Sequence, residues 1–367
     1  MKNIGEFILE LLEKNYDFDE VLAVERIKAG DTNQSFLAEC VKDKKTQTWY
    51  VRRYNEAEQE KDIIYEHAFE QYFSQRVNGE VQTIVPLRTK QGSTWVYEEL
   101  EGEKRYYAVF NILKGREPYS WEYNDMSSQA LLSCAEITAR FQDWAYGFTA
   151  PEDGGRREAS LEEQLEIWKT DLPQAIFDKS KSPSIFRRFN EYFEKELPFF
   201  LEMIEFCQKE LELCKDGLKK CINHKDLNPG NLMFDEDDQV CAIFDMDWVN
   251  EDYRLYDVGW MAYQATASWD SREWGSVPLD KLEVFLKTYN KTMREIASPL
   301  GELNQKEKEF LPIMMMIGVM KVIMDFTCYE EHVDDADRMF VNTWRFMESL
   351  HDLRNHIPEI QSLAETK

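Results

Sequence analysis

INHKDLNPGNLMF at residues 222–234, with AIFDMDW at 242–248 and YRLYDVG at 253–259, is the stretch on which the reading of this chain turns. Asp226 sits on a short loop after the apolar pair Cys221 and Ile222, where its carboxylate can accept a hydroxyl proton. Asn231 closes that loop with an amide oxygen suited to a hard cation. Asp245 ends the apolar run Val240 to Phe244, and the turn before that run is Asp235-Glu236-Asp237-Asp238-Gln239. Two strands joined by a tight polar turn are expected to bring positions 231 and 245 to one end of a hairpin. The order and spacing are those of a Mg-nucleotide phosphoryl-transfer site. Such chemistry needs a carboxylate to orient and deprotonate the attacking hydroxyl, and oxygen ligands for Mg²⁺ on the phosphates. The acidic run 235–238 reads as a solvated turn. It fails as an EF-hand loop, because Val240 stands where Gly is needed and Met246 where a bidentate Glu is needed.

The matched pieces His224-Lys225-Asp226, Asn231 and Asp245-Met246-Asp247, with Asp257 ahead of an apolar helix, resemble the aminoglycoside phosphotransferase and choline kinase family. These are small-molecule kinases with a protein-kinase-like fold. The resemblance implies Asp226 as catalytic base, Asn231 and Asp245 as metal ligands, and Asp257 as the acid that braces the catalytic loop. His224 is read as a structural hydrogen-bonder, and Asp247 as either a metal or substrate contact or a backbone brace. Protein kinases write His-Arg-Asp and Asp-Phe-Gly in the corresponding places. Here the second motif is Asp-Met-Asp and no Ala-Pro-Glu follows, which favours a small-molecule acceptor.

Upstream, an amphipathic acidic helix over Glu6 to Lys14 precedes strands at Val21–Ala29, Phe36–Val41 and Thr48–Tyr54. Glu58 to Arg76 has helical spacing, with Ile63, Ile64, His67, Ala68, Tyr72 and Phe73 on its apolar stripe. Val81 to Leu87 reads as extended, and Trp95–Glu98 and Tyr106–Ile112 pair around Glu101-Gly102-Glu103. By the resemblance, that order is a kinase N-terminal lobe. Its phosphate-covering turn is Gly30 to Ser35, including Asn33; with one glycine it is neither GxGxxG nor a Walker A loop. The phosphate-binding lysine of the third strand falls at Arg52, whose fork can clamp phosphate oxygens. Glu66 is its expected helix partner, with Glu60 and Glu70 as alternatives, and Arg53 should face the other way, toward solvent. Val109 to Leu113 is the hinge, where adenine would lie near Phe110 and Ile112. The expected fold is thus α+β and bilobal: a small antiparallel-sheet lobe over 1–112, and a larger, mostly helical lobe over 113–367 carrying the catalytic loop and acceptor pocket.

A net charge of −26 disfavours nucleic acid and anionic membranes as partners. Seven cysteines without a CxxC pair argue against a disulfide framework. Cys207, Cys214 and Cys221 recur every seven residues, which on a helix separates them by about 10 Å, too far for one metal ion, and Cys221 also reads as part of the strand before the catalytic loop. No secretory signal is visible, and Leu311 to Met324 is too short and carries Lys321, so it reads as a core helix. These features place the chain in the cytoplasm.

The leading expectation is an ATP- and Mg²⁺-dependent phosphotransferase acting on a hydroxyl of a small metabolite: a sugar, an amino alcohol or an aminoglycoside. Short motifs lean toward the homoserine kinase-like and N-acetylhexosamine kinase-like branches. Trp121, Trp144, Tyr263 and Trp269 are candidates to stack on a sugar, and Glu330, Glu331, Asp334 and Asp335 to bind an amine, although core packing and a solvated helix end are the favoured readings. A nucleotide-binding regulator without turnover and a protein kinase are the alternatives. Acceptor identity, ATP against GTP, and oligomeric state are not legible.

Overall fold

The computed structural model describes residues 3–27, 33–156, 158–179, 186–269, 275–328 and 336–365. Gly30 of the phosphate-covering turn and the acidic cluster Glu330, Glu331, Asp334 and Asp335 lie outside the described residues. The chain divides into two units. One comprises Met1–Gly115, Gly147–Arg157 and Cys241–Asp247; the other comprises Arg116–Tyr146, Glu158–Val240 and Trp248–Lys367.

The chain begins α1 (Ile4–Asn15), β1 (Glu20–Ile27), β2 (Gln34–Lys42), β3 (Lys45–Arg53), α2 (Glu60–Val77), β4 (Gln82–Thr83), β5 (Val96–Leu100) and β6 (Glu103–Phe110). It continues α3 (Ser128–Ala145), α4 (Leu161–Lys179), α5 (Arg187–Cys214), β7 (Lys220–Asn223), β8 (Leu232–Phe234), β9 (Val240–Ile243) and β10 (Asn250–Tyr253). Helices α6 (Leu255–Thr266), α7 (Leu279–Glu295), α8 (Gln305–Cys328), α9 (Ala336–Asn355) and α10 (Ile357–Glu365) complete it.

In the first unit a five-stranded antiparallel sheet runs β1-β2-β3-β6-β5. The turn between β2 and β3 is Asp43-Lys44, both left-handed, as a two-residue hairpin loop with right-handed strand twist requires. Ile8, Leu11 and Leu12, at helical spacing on α1, bury against Phe36, Val51 and Val109 of the sheet. The extended reading of 81–87 shrinks to β4, paired in parallel with Ala242 and Ile243 of β9, plus a bridge from Pro86 to Phe110. Side chains do the rest of the joining: Asn111 Oδ1 accepts from Val85 N at 2.6 Å, and Gln82 exchanges two hydrogen bonds with the backbone of Lys114.

Arg53 departs from expectation. It is buried, not solvated, because Tyr107, Gln34 and Glu103 each take a hydrogen bond from its guanidinium. Strand alternation alone could not show that the outward face is covered by partners from β6 and β2.

The second unit is mostly helical, with β7 and β10 forming an antiparallel pair beside the loop that carries Asp226. Helices α6 and α8 cross closely. A Cβ on Gly259 would lie 2.8 Å from Met314 Cγ, and one on Gly318 2.8 Å from Trp260. Neither position has room for a larger residue. At the base of this pairing Arg254 and Glu307 form a fully buried ion pair, with Arg254 Nε donating to Glu307 Oε1 at 2.6 Å. Arg254 also donates to the carbonyls of Gly301 and Glu302, and Glu307 accepts from Asn304 N. Removing one member of such a pair leaves a buried charge without a counter-ion, which costs about 3–5 kcal/mol. Glu307→Ala should therefore lower the urea midpoint by that amount of stability, whereas Glu309→Ala, on the exposed side of the same helix turn, should stay within about 1 kcal/mol of wild type.

Candidate active site

The second unit holds the loop after β7. Cys221 and Ile222 anchor the strand in the core, and His224 is fully buried. Its backbone N–H donates to Asp257 Oδ2 at 2.6 Å, and that of Lys225 donates to Asp257 Oδ1 at 2.9 Å. One carboxylate at the start of α6 thus grips both peptide groups that precede Asp226. Lys225 adopts φ 68°, a left-handed conformation that a non-glycine residue takes only where its surroundings hold it. Here its ammonium pairs with buried Asp252 and lies 4.0 Å from the centre of the Tyr256 ring.

Asp226 itself is half-buried. Asn231 Nδ2 donates to both its carbonyl and its Oδ2 at 2.9 Å, and Asn228 Nδ2 donates to the same carbonyl at 3.0 Å. With its nitrogen committed to Asp226, the Asn231 amide presents its oxygen on the other side. Asn228 Oδ1 caps Gly230 N at 2.8 Å, and a Cβ on Gly230 would meet that same oxygen at 2.9 Å. Sequence reasoning passed over Asn228 and Asp252. The Asn-Pro-Gly turn signal was available for the first; nothing local marks the second.

The first unit gathers a separate set around Arg52. Its guanidinium Nη1 donates to Glu66 Oε1 at 2.9 Å and contacts Asp247 Oδ1, while Nη2 lies 3.9 Å from Asp245 Oδ1. The cation is nearly buried, with the rings of Phe110, Tyr54 and Tyr50 5.4–5.9 Å from its carbon. Asn33 donates to Asp247 Oδ2 at 3.0 Å and accepts from Asn55 N at 3.0 Å. Asp247 therefore braces Arg52 and Asn33. Asp245, at φ 64°, keeps its side chain 42% exposed beside Arg52. Phe110 closes β6 in the core, and Ile112, just after the strand, is exposed. Arg156 was not singled out in sequence, yet it donates to Met246 O at 3.1 Å and covers the Tyr65 ring.

Burial pushes the Glu66 carboxyl up to about 8; Asp247 adds to the rise and Arg52 opposes it. Burial likewise pushes Asp257 up to about 7 against the two backbone donors. Next to Glu66, His67 is held neutral, its value lowered to about 3 by burial, and it bridges Tyr54 OH and Thr94 Oγ1. Raised carboxyls mean the folded state binds protons that the unfolded state has released between their ordinary and raised values. Stability from Glu66 and Asp257 is then fully present below the ordinary carboxylate range and is lost as pH rises through about 7 to 8. The melting temperature should fall as pH rises from about 4.5 to about 8 and level off above that, and Glu66→Gln should flatten part of that fall.

Residues 23–296 match the model of the phosphotransferase enzyme family, APH. The chain belongs to that family, which makes it an enzyme of the small-molecule kinase class. No match was found among curated proteins. Its fold is similar to that of a microcompartment-associated aminopropanol kinase, at 16% identity and TM-score 0.66, covering 97% of this chain and 98% of the other. It is similar also to the spectinomycin phosphotransferase APH(9)-Ia solved with ADP and spectinomycin, at 10% identity and TM-score 0.63, over 96% and 99% of the two chains. A third is an amicoumacin kinase solved with AMP-PNP, Ca²⁺ and Ami, at 15% identity and TM-score 0.62, over 99% and 95%. Among the described residues no helix is long and apolar enough to cross a membrane.

Proposed function

We propose that the chain transfers the γ-phosphoryl group of ATP to a hydroxyl of a small metabolite, a sugar, an amino alcohol or an aminoglycoside. The observation that carries this reading is the braced loop: Asp257 fixes the peptides of His224 and Lys225, and Asn231 orients a half-buried Asp226. A half-buried carboxylate held by its backbone and by an amide is what a hydroxyl proton acceptor needs. In the transfer the acceptor oxygen forms a bond to Pγ, the bond from Pγ to the ADP oxygen breaks, and the hydroxyl proton passes to Asp226.

The donor set fits a hard divalent cation. Asp245 offers an exposed carboxylate, and Asn231 has its amide oxygen left over once the nitrogen is committed. These two residues would be the protein's ligands to Mg²⁺, which, when bound, neutralises phosphate charge. Arg52, held by Glu66, is assigned to the phosphate oxygens, and Phe110 and Ile112 to the adenine side of the nucleotide. That two structural neighbours were solved with ADP and AMP-PNP supports ATP as donor.

The test is Mg²⁺-dependent ADP release, measured with and without a panel of small alcohols. Release that requires both an acceptor and Mg²⁺ supports the reading. One observation favours a second possibility, a nucleotide-binding regulator: Arg52 is already engaged by both Glu66 and Asp247. ATP binding without release for any acceptor would select it.

A further inference from the structure

Helix α8 carries an ion pair that its own stability does not explain. From Phe310 to Met324 its one charged residue is Lys321, and Phe310–Met320 and Val322–Met324 are all buried. Lys321 Nζ meets Asp325 Oδ2 at 3.1 Å, with the two side chains 22% and 48% exposed, so the pair opens toward solvent and away from the core. A partly exposed pair four residues apart adds little to a helix, and lysine before the acid is the weaker order. Replacing both by apolar residues would cost the helix little.

Its position gives the pair a use. Lys321, Asp325 and Tyr256 all lie within electrostatic reach of Asp226. The Lys321 ammonium also lies 5.9 Å from the centre of the Trp248 ring. The glycine-mediated crossing of α6 and α8 fixes this arrangement, because α6 also supplies Asp257, which braces the loop of Asp226. Burial works to discharge Lys321, but Asp325, Tyr256 and Asp226 keep it protonated well above its ordinary range. A partly exposed cation, held between Asp325 and the Trp248 ring, therefore stands within electrostatic reach of Asp226.

We propose that Lys321 is the specificity-determining residue of the acceptor site, and that it binds an anionic substituent, a carboxylate, on the small molecule whose hydroxyl faces Asp226. Asp325 is its counter-ion before the acceptor arrives. The proposal rests on the phosphotransferase reading and narrows its acceptor class. An acceptor with only an ammonium group would meet a like charge there. A hydroxy acid would replace Asp325 as the partner of Lys321, and a charge-assisted hydrogen bond of that kind favours binding by about ten- to a hundredfold.

The experiment compares matched acceptors, glycerate against glycerol and serine against ethanolamine, with wild type, Lys321→Met and Lys321→Glu. Thermal melts check that each variant is folded; methionine suits this apolar helix. Wild type should favour the carboxylate member of each pair by about ten- to a hundredfold in kcat/KM. Lys321→Met should raise KM for the carboxylate member at least about tenfold more than KM for its partner, and Lys321→Glu should turn the preference toward the amine. Turnover confined to neutral or amine acceptors, or a Lys321→Met effect equal across each pair, would overturn the proposal and leave the kinase reading standing. No ADP release with any acceptor would overturn both.

Discussion

Asp226→Asn should lower kcat by about 10²–10⁴-fold while the protein folds as wild type. The substitution keeps size and shape. Asn231 Nδ2 can still donate to the carbonyl of residue 226, so the loop remains tied at 2.9 Å there. What disappears is the carboxylate proposed as proton acceptor. Because Asp257 grips the peptides of His224 and Lys225 independently of the residue 226 side chain, the backbone has no reason to move. KM for ATP should change far less than kcat, since the lost interaction belongs to the transition state. Steady-state kinetics with a coupled ADP assay, beside a thermal melt, would check both halves. Full activity in this variant would mean that the base has been misassigned.

Asp245→Asn is the second large effect, and its nature differs. Position 245 has φ 64°, a conformation in which asparagine is comfortable and alanine is strained by about 1–2 kcal/mol. Asparagine therefore isolates the charge from the backbone. Loss of the exposed carboxylate should remove most of the Mg²⁺ dependence of ATP binding and reduce kcat/KM by about a thousandfold, the scale of several kcal/mol of metal charge stabilisation. Titration calorimetry of ATP with and without Mg²⁺ reads this directly. Wild type should bind the Mg complex more tightly than free ATP, and the variant should hardly distinguish them. An unchanged metal dependence would move the ligand role elsewhere.

How much of this could be read before the structure depends on how local each signal is. The run from Asn223 to Asp257 is a contiguous block in which loop, turn and strand are all written by neighbours in sequence, so Asp226, Asn231 and Asp257 announce themselves. Arg52 and Glu66 were also legible: one lies on a strand, the other on the helix that follows, and the 2.9 Å contact is the expected partnership. Arg53 was misread as solvated because its burial depends on Tyr107, Gln34 and Glu103, which strand alternation cannot foresee. Asp252 and Arg156 act through residues far away in the chain, Lys225 and Met246, and no motif marks them. Lys321 shows the limit most clearly. In the sequence it only interrupts an apolar run; its place by the Trp248 ring and its electrostatic coupling to Asp226 depend on the packing of α8 on α6.

The most direct measurement follows labelled γ-phosphorus from ATP in the presence of Mg²⁺ and a hydroxyl-bearing acceptor. The label should appear in a small-molecule phosphomonoester, with none retained on protein, and this product should nearly vanish with Asp226→Asn. Label fixed on protein side chains, or equal product from wild type and Asp226→Asn, would contradict the account.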